Sequence, residues 1–124
     1  MKKIIKSSVV AGLLFGTALI ADGFTLKSDD MFGQMSTSQV FNGFGCTGKN
    51  ISPQLTWSHA PKGTKSFAVT MYDPDAPTGS GWWHWLVFNI SQETQGLEVG
   101  VSGQDKMPKG AVESKTDYGT FAFG

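Results

Sequence analysis

The stretch from Ser66 to Ile90 constrains the fold more than any other part of the sequence. An apolar run, Ser66–Tyr72, leads into a loop rich in proline and glycine, and a second apolar run, roughly His84–Ile90, follows that loop. Alternate residues of the first run, from Phe67 to Met71, lie on one face of an extended chain. The pattern predicts two antiparallel strands joined by a rigid loop.

The remaining sequence also favours strands. Phe24–Lys27 alternates apolar and polar residues, Gln54–Trp57 follows a turn, and one short strand is expected near Leu97–Val101. Residues 28–50 are predicted to form a long loop with at most one short strand. The strand around His84–Ile90 is apolar on both faces, which predicts a central strand covered on both sides. We therefore expect a mainly β fold.

The N-terminus has the features of a secretory signal peptide. Three lysines among the first six residues precede the uncharged apolar run Val9–Ile20, and small residues follow. We expect residues 1–21 to be a signal peptide and residues 22–124 to form one domain. A membrane anchor is the alternative, but a span needs about 20 apolar residues. A periplasmic or secreted protein without an integral membrane span is predicted.

The charge balance argues against a nucleic-acid partner. Cleavage after residue 21 would remove three of the ten lysines and none of the ten acidic residues, leaving seven against ten and a net charge near −3. The sequence contains no arginine. Since phosphate backbones require clustered basic side chains, we expect no nucleic acid to bind.

Cys46 is the single cysteine, so no internal disulfide can form. A buried thiol is the favoured interpretation, with a reactive thiol or a lost pairing partner as alternatives. The two histidines and Cys46 show no metal-ligand spacing. We therefore expect neither a metal site nor a cofactor.

Polar groups gather at the facing ends of the two central strands. Asp73 and Asp75 flank Pro74, and Trp82 and His84 begin the second strand. Proline keeps the preceding residue extended, and a stiff loop suits a preformed ligand site. We expect the five to form a ligand site in which Asp73 orients His84 and Trp82 forms a wall, while the imidazole donates to an anionic or polar group. Turn capping by the aspartates and a core position for the histidine are the alternatives.

Catalysis by these residues requires more than the sequence offers. Hydrolysis needs a nucleophile with a base and an orienting group. Ser80 is near in sequence, but no nucleophile-elbow pattern surrounds it. We expect no catalytic residue and no enzymatic activity, and a hydrolase that uses Asp73 and His84 is the alternative.

Four parts of the sequence resemble the phosphatidylethanolamine-binding protein family, in its bacterial Raf-kinase-inhibitor-like branch. They are Asn50–Trp57, Ser66–Pro77, Gly81–Ile90, and Gly110–Val112 with Asp117–Gly119. The Asp-Pro-Asp-Ala-Pro element, followed at this distance by Trp-x-His, is the specific part of the likeness. The likeness as a whole covers essentially the entire mature chain.

The resemblance implies a central antiparallel sheet with few short helices and a small anion pocket at one end. That pocket takes phosphate-like groups, including phospholipid head groups. The family's two aspartates fall on Asp73 and Asp75, its pocket histidine on His84 and its wall tryptophan on Trp82. Members are known as binders and signalling regulators, so a protein-interaction or inhibitor module that uses the pocket rim is a further alternative.

One departure from the family concerns the C-terminal part. Family members continue into a Gly/Pro-rich segment and a Gly-x-His-Arg motif that supplies a second pocket histidine, and this sequence up to Gly124 contains no such motif. The resemblance therefore implies a C-terminally truncated domain. Unpaired sheet edges and exposed apolar faces are expected in such a domain.

Overall fold

The computed structural model describes residues 23–124, so the predicted signal peptide lies outside the described residues. Eight strands follow one another within these described residues. They are β1 Thr25–Lys27, β2 Asn42–Gly43, β3 Cys46–Thr47, β4 Leu55–Ser58, β5 Ser66–Asp73, β6 Trp82–Ser91, β7 Gly96–Leu97 and β8 Val112–Glu113. No residue between 23 and 124 is helical, so this part contains none of the few short helices that the resemblance implies. The predicted mainly β class is confirmed.

In the part of the chain that the structure describes, all strand pairs are antiparallel and form three sheets. β4 lies between β1 and β7, β2 pairs with β3, and β6 lies between β5 and β8. The predicted central antiparallel sheet is thus present, with β6 at its centre. Within residues 23–124, no helix is long and apolar enough to cross a membrane.

The core forms where β6 faces the sheet built around β4. Trp85, Val87 and Ile90 are 0–1% exposed. They pack with Leu55, Trp57, Leu97, Val101 and Phe123. The spacing from Val87 to Ile90 breaks strict alternation, because β6 has one more residue than β5 between two paired positions. Asn89 adopts a positive φ of 58° in this β-bulge, which lets both apolar residues face the core.

A second bulge lies at the start of β6. Trp85 pairs with Met71 and Trp83 pairs with Tyr72, so His84 is the extra residue between them. The bulge places Trp83 on the face opposite to Trp85. Strict alternation along the sequence of β6 would put Trp83 and Trp85 on one face. It fails here because alternation assumes an uninterrupted ladder.

The outer face of the central sheet is only partly covered by residues 23–124. Tyr72, Trp83, Phe88 and Val112 on this face are 39–48% exposed. Tyr72 and Trp83 contact each other with ring centroids 4.5 Å apart. The prediction of a strand covered on both sides is therefore wrong for the described part of the chain, because only the inner face meets a second sheet.

Candidate ligand site

Two cavities of about 420 Å³ each lie where β5 ends and β6 begins. We call them the loop cavity and the hairpin cavity, after the 73–81 loop and the β2–β3 hairpin. The loop cavity is lined by Phe44, Asp73, Ala76, Pro77, Thr78, Trp82, His84 and Tyr118. The hairpin cavity shares Asp73, His84 and Tyr118 and adds mainly apolar residues together with Pro74, Cys46 and Gly124.

His84 is oriented by the backbone of Gly124. The imidazole Nδ1 lies 2.5 Å from the Gly124 oxygen, and the Gly124 N–H donates to the His84 carbonyl at 3.0 Å. Since a carbonyl oxygen only accepts hydrogen bonds, we assign the proton to Nδ1. In the neutral imidazole Nε2 is then an acceptor, and in the cation it becomes a second donor.

Tyr118 packs against the same histidine. Its hydroxyl lies 3.3 Å from Nδ1 of His84, and its ring meets Trp82 edge-on at a centroid distance of 5.3 Å. Asp117 fixes this segment, because its carboxylate accepts from the Trp83 N–H at 2.8 Å. Burial raises the pKa of the Tyr118 hydroxyl, and nearby Cys46 and Asp73 raise it further. The hydroxyl therefore keeps its proton at neutral pH.

Asp73 ends β5 and caps the turn that follows. Its Oδ1 accepts from the Asp75 N–H at 2.9 Å, which is the turn-capping alternative raised by the sequence. Asp73 also lines both cavities, so capping does not remove it from the site. The expected orienting bond between Asp73 and His84 is not formed, since the imidazole bonds to Gly124 and Tyr118 instead.

The other three predicted residues lie in different places. Trp82 is half-buried in the loop cavity, and its buried indole N–H has no well-aligned hydrogen-bond partner among residues 23–124. Pro74 lines the hairpin cavity. Asp75 is exposed and lines neither cavity, so its assignment as a ligand-binding residue stays a prediction.

Sequence reasoning did not assign Tyr118, Gly124 or Phe44 to the site. Tyr118 lies within the Asp117–Gly119 motif, which was a usable signal. Phe44 lies in the Gly-rich segment at Asn42–Gly48, where a tight turn was the available signal. Those residues form a two-stranded hairpin, where the sequence predicted a loop with at most one short strand.

Two details of this hairpin bear on the site. A Cβ at Gly43 would lie 2.6 Å from the Phe41 ring, so glycine is needed for that close approach. Cys46 is exposed, so the prediction of a buried thiol is wrong; the two-residue strand β3 leaves both of its residues exposed. Among residues 23–124, no group of three potential metal-binding side chains converges.

A family model described as "Phosphatidylethanolamine-binding protein" matches residues 31–124, a range that includes every residue of both cavities. The chain belongs to the phosphatidylethanolamine-binding protein family. The resemblance noted in the sequence is thereby confirmed.

Relatives within this family include two proteins of Escherichia coli K12. The UPF0098 protein YbcL is 51% identical over 126 residues, covering 100% of this chain and 69% of YbcL. The UPF0098 protein YbhB is 58% identical over 81 residues, covering 64% of this chain and 51% of YbhB. This member of the phosphatidylethanolamine-binding protein family therefore spans about half to two thirds of the length of these relatives.

Solved structures agree with the assignment. The crystal structure of E. coli YbcL, described as a new member of the mammalian PEBP family, has a TM-score of 0.77 and 53% identity, covering 82% of this chain and 64% of that chain. A Chlamydia trachomatis homologue of phosphatidylethanolamine-binding proteins has a TM-score of 0.64 at 26% identity, over 81% and 62% of the two chains.

Proposed function

We propose that this phosphatidylethanolamine-binding protein family member is an exported protein that binds small phosphate-like anions, including phospholipid head groups, in the loop cavity. The orientation of His84 carries the proposal. Gly124 occupies Nδ1, so Nε2 is the ring nitrogen left for a ligand in a cavity of about 420 Å³. Protonation of the imidazole makes Nε2 a charge-assisted donor, which suits an anion.

A second donor supports the same chemistry. The pKa of Tyr118 is raised by burial, so its hydroxyl stays protonated beside His84. Neutral hydroxyl donors strengthen anion binding without adding charge of their own. The Thr78 hydroxyl already donates to the Gly81 carbonyl at 2.6 Å, so it is not a free donor in this arrangement.

The carboxylate of Asp73 favours an anion that carries an amine or hydroxyl nearby. A bare phosphate next to this carboxylate would be repelled. A zwitterionic group such as phosphoethanolamine would place its phosphate near His84 and its ammonium near Asp73. This pairing of opposite charges is the reason to include phospholipid head groups in the proposal.

We propose binding without turnover. Within residues 23–124, Nδ1 of His84 contacts the Gly124 oxygen and the Tyr118 hydroxyl. The Thr78 hydroxyl donates to the Gly81 carbonyl and not to the imidazole. A nucleophile paired with His84 as its base is thus not formed in the described part. Release of p-nitrophenol from p-nitrophenyl phosphate that vanishes in Asp73→Asn would contradict this view.

Export rests on the N-terminal sequence pattern. We expect cell fractionation of a C-terminally tagged protein to recover it from the periplasm or medium of a bacterial host. N-terminal sequencing is expected to begin at Asp22. Recovery of uncleaved protein from the membrane fraction would support the membrane-anchor alternative.

Titration calorimetry with phosphoethanolamine and inorganic phosphate tests the proposed ligand site. We expect His84→Ala to weaken both by about tenfold or more, the loss of one charge-assisted hydrogen bond. His59→Ala is the matched control, because His59 is exposed and lines neither cavity. Equal affinities in His84→Ala and wild-type protein would contradict the proposal.

A further inference from the structure

The tip of the β2–β3 hairpin carries an aromatic residue at a position where turn geometry disfavours one. Gly43 pairs with Cys46, which leaves a two-residue turn formed by Phe44 and Gly45. Both have positive φ, 52° and 87°, as in a type I′ turn. Asn, Asp and Gly suit the first turn position, whereas a bulky side chain there is strained. Local backbone preference therefore does not explain Phe44.

Packing within the described residues does not explain Phe44 either. Its side chain is 83% exposed, although it is apolar and lies at the end of a short hairpin. Its ring contacts are with Phe41, at a centroid distance of 5.6 Å, and with Tyr118, at 6.0 Å. Backbone strain that burial does not offset is typical of residues with a functional role.

The position of Phe44 relative to the site indicates which function. Phe44 lines the loop cavity together with His84. Its ring lies nearly parallel to that of Tyr118, at 23°, and Tyr118 in turn meets His84 at a centroid distance of 5.6 Å. A ligand whose anionic group lies at His84 would therefore have an aromatic surface, built from Tyr118 and Phe44, beside its substituent.

The hairpin side of the cavity carries further apolar side chains beyond these two rings. Phe41 packs on Tyr118 with centroids 4.3 Å apart, and the adjoining hairpin cavity is lined in part by Met35, Val40 and Met71. Methionine and aromatic side chains adapt to flat or irregular apolar groups. Polar recognition at His84 and apolar recognition at Phe44 thus lie on two sides of one site.

We propose that Phe44 is a specificity-determining residue, which covers the loop cavity and selects anions bearing an apolar or aromatic substituent over bare inorganic anions. This inference rests on the proposed anion site at His84. The ligand class expected from it is an amphiphilic organic phosphate or a related anion. The hairpin tip supplies a stacking contact that inorganic phosphate cannot use.

Calorimetric titration with inorganic phosphate and phenyl phosphate tests the assignment. The wild-type protein should bind phenyl phosphate about tenfold more tightly, the effect of one aromatic contact. Phe44→Asn should lower the affinity for phenyl phosphate about tenfold more than the affinity for inorganic phosphate, so that the preference disappears. The variant should also unfold at an equal or higher temperature, because asparagine suits the turn. Phe44→Leu, which keeps an apolar side chain, should retain part of the preference.

The outcomes separate this inference from the proposed function. Retained binding of inorganic phosphate with an unchanged phenyl preference in Phe44→Asn would overturn the inference alone. Binding of neither phosphate by the wild-type protein would overturn both. If Phe44→Asn instead lowered only binding to phosphatidylethanolamine vesicles, Phe44 would be a bilayer contact and not a ligand cover, which also contradicts the inference.

Discussion

His84 and Asp73 lie in the same cavity, and their existing hydrogen bonds decide which atoms are left for a ligand. Gly124 occupies Nδ1 of His84, and the Asp75 N–H occupies Oδ1 of Asp73. The imidazole Nε2 and the second carboxylate oxygen are left. One can carry positive charge and the other negative charge, and this residue-scale chemistry is the basis of the proposed zwitterionic ligand.

Substitution of Asp73 by asparagine tests this charge arrangement. Asn keeps the Oδ1 acceptor for the Asp75 N–H, so the turn should persist. Removal of the carboxylate charge is expected to tighten inorganic phosphate binding by on the order of tenfold. The preference for phosphoethanolamine over phosphate should shrink at the same time, as measured by calorimetry.

The control for this substitution is Asp75→Asn. Asp75 carries the same charge two residues away, but it is exposed and lines neither cavity. We expect it to leave both affinities nearly unchanged. An equal weakening of both ligands by Asp73→Asn would indicate that Asp73 acts through the turn and not through its charge.

At the scale of elements, the two bulges of β6 determine which side chains reach the core and which reach the site. The first makes His84 the extra residue opposite the end of β5, and the second, which contains Asn89, adds one residue to β6 near its other end. Bulges redirect side chains and bend a strand. Without the second bulge, Val87 and Ile90 could not share the buried face.

Asn89 is the position where this irregularity can be tested. Its φ is 58°, and its side-chain amide donates to the Gly110 carbonyl at 2.7 Å. Asn89→Ala removes the hydrogen bond and places a strained alanine, so we expect the free energy of unfolding to fall by about 2 kcal/mol. Asn89→Gly loses only the hydrogen bond, so its free energy of unfolding should fall by about 1 kcal/mol.

Urea unfolding followed by tryptophan fluorescence measures both variants. An Asn89→Ala protein as stable as Asn89→Gly would show that the positive φ is not maintained in solution. Ser91→Ala is a suitable reference, since Ser91 is exposed at the end of the same strand.

At the scale of the whole molecule, Glu113 connects the core to the segment that orients His84. Its carboxylate accepts from the Trp85 indole N–H at 2.7 Å, from the Gly103 N–H at 2.8 Å and from the Ser102 hydroxyl. The Ser102 oxygen accepts in turn from the Phe123 N–H at 2.7 Å. Phe123 precedes Gly124 and packs edge-on against Trp85, with ring centroids 5.7 Å apart. The imidazole is therefore held through contacts that begin in the core.

Loss of the Glu113 carboxylate should affect both stability and binding. Glu113→Ala leaves three donors without their acceptor, so we expect the free energy of unfolding to fall by about 3 kcal/mol in urea. Phosphoethanolamine binding should weaken as well, because the 123–124 segment loses an anchor. Glu93→Ala is the matched control, since Glu93 is exposed in the turn after β6.

A change below about 1 kcal/mol in Glu113→Ala would contradict this network. Retained stability with weakened binding would instead place Glu113 in the site, which the contacts do not indicate. Glu113→Gln keeps the side-chain volume and separates the loss of charge from the loss of packing.

Much of the fold could be predicted because strands leave a local pattern. Alternation in Ser66–Tyr72 identified β5, which the structure gives as Ser66–Asp73, and the apolar run after the loop identified β6. Both Asp73 and His84 were placed correctly at facing strand ends, because proline and glycine mark the loop between them. Strict alternation fails to assign the faces of β6 where bulges interrupt the ladder, because no single residue type marks a β-bulge in a sequence.

The sequence by itself determined the β class, the central strand pair and the family, since these depend on local periodicity and on a contiguous motif. Only the tertiary structure decided what surrounds His84. Tyr118 lies 34 residues and Gly124 40 residues further along the chain, and both reach the imidazole only when the 117–124 segment packs on β6. Contacts between such distant residues depend on packing, which sequence periodicity does not report.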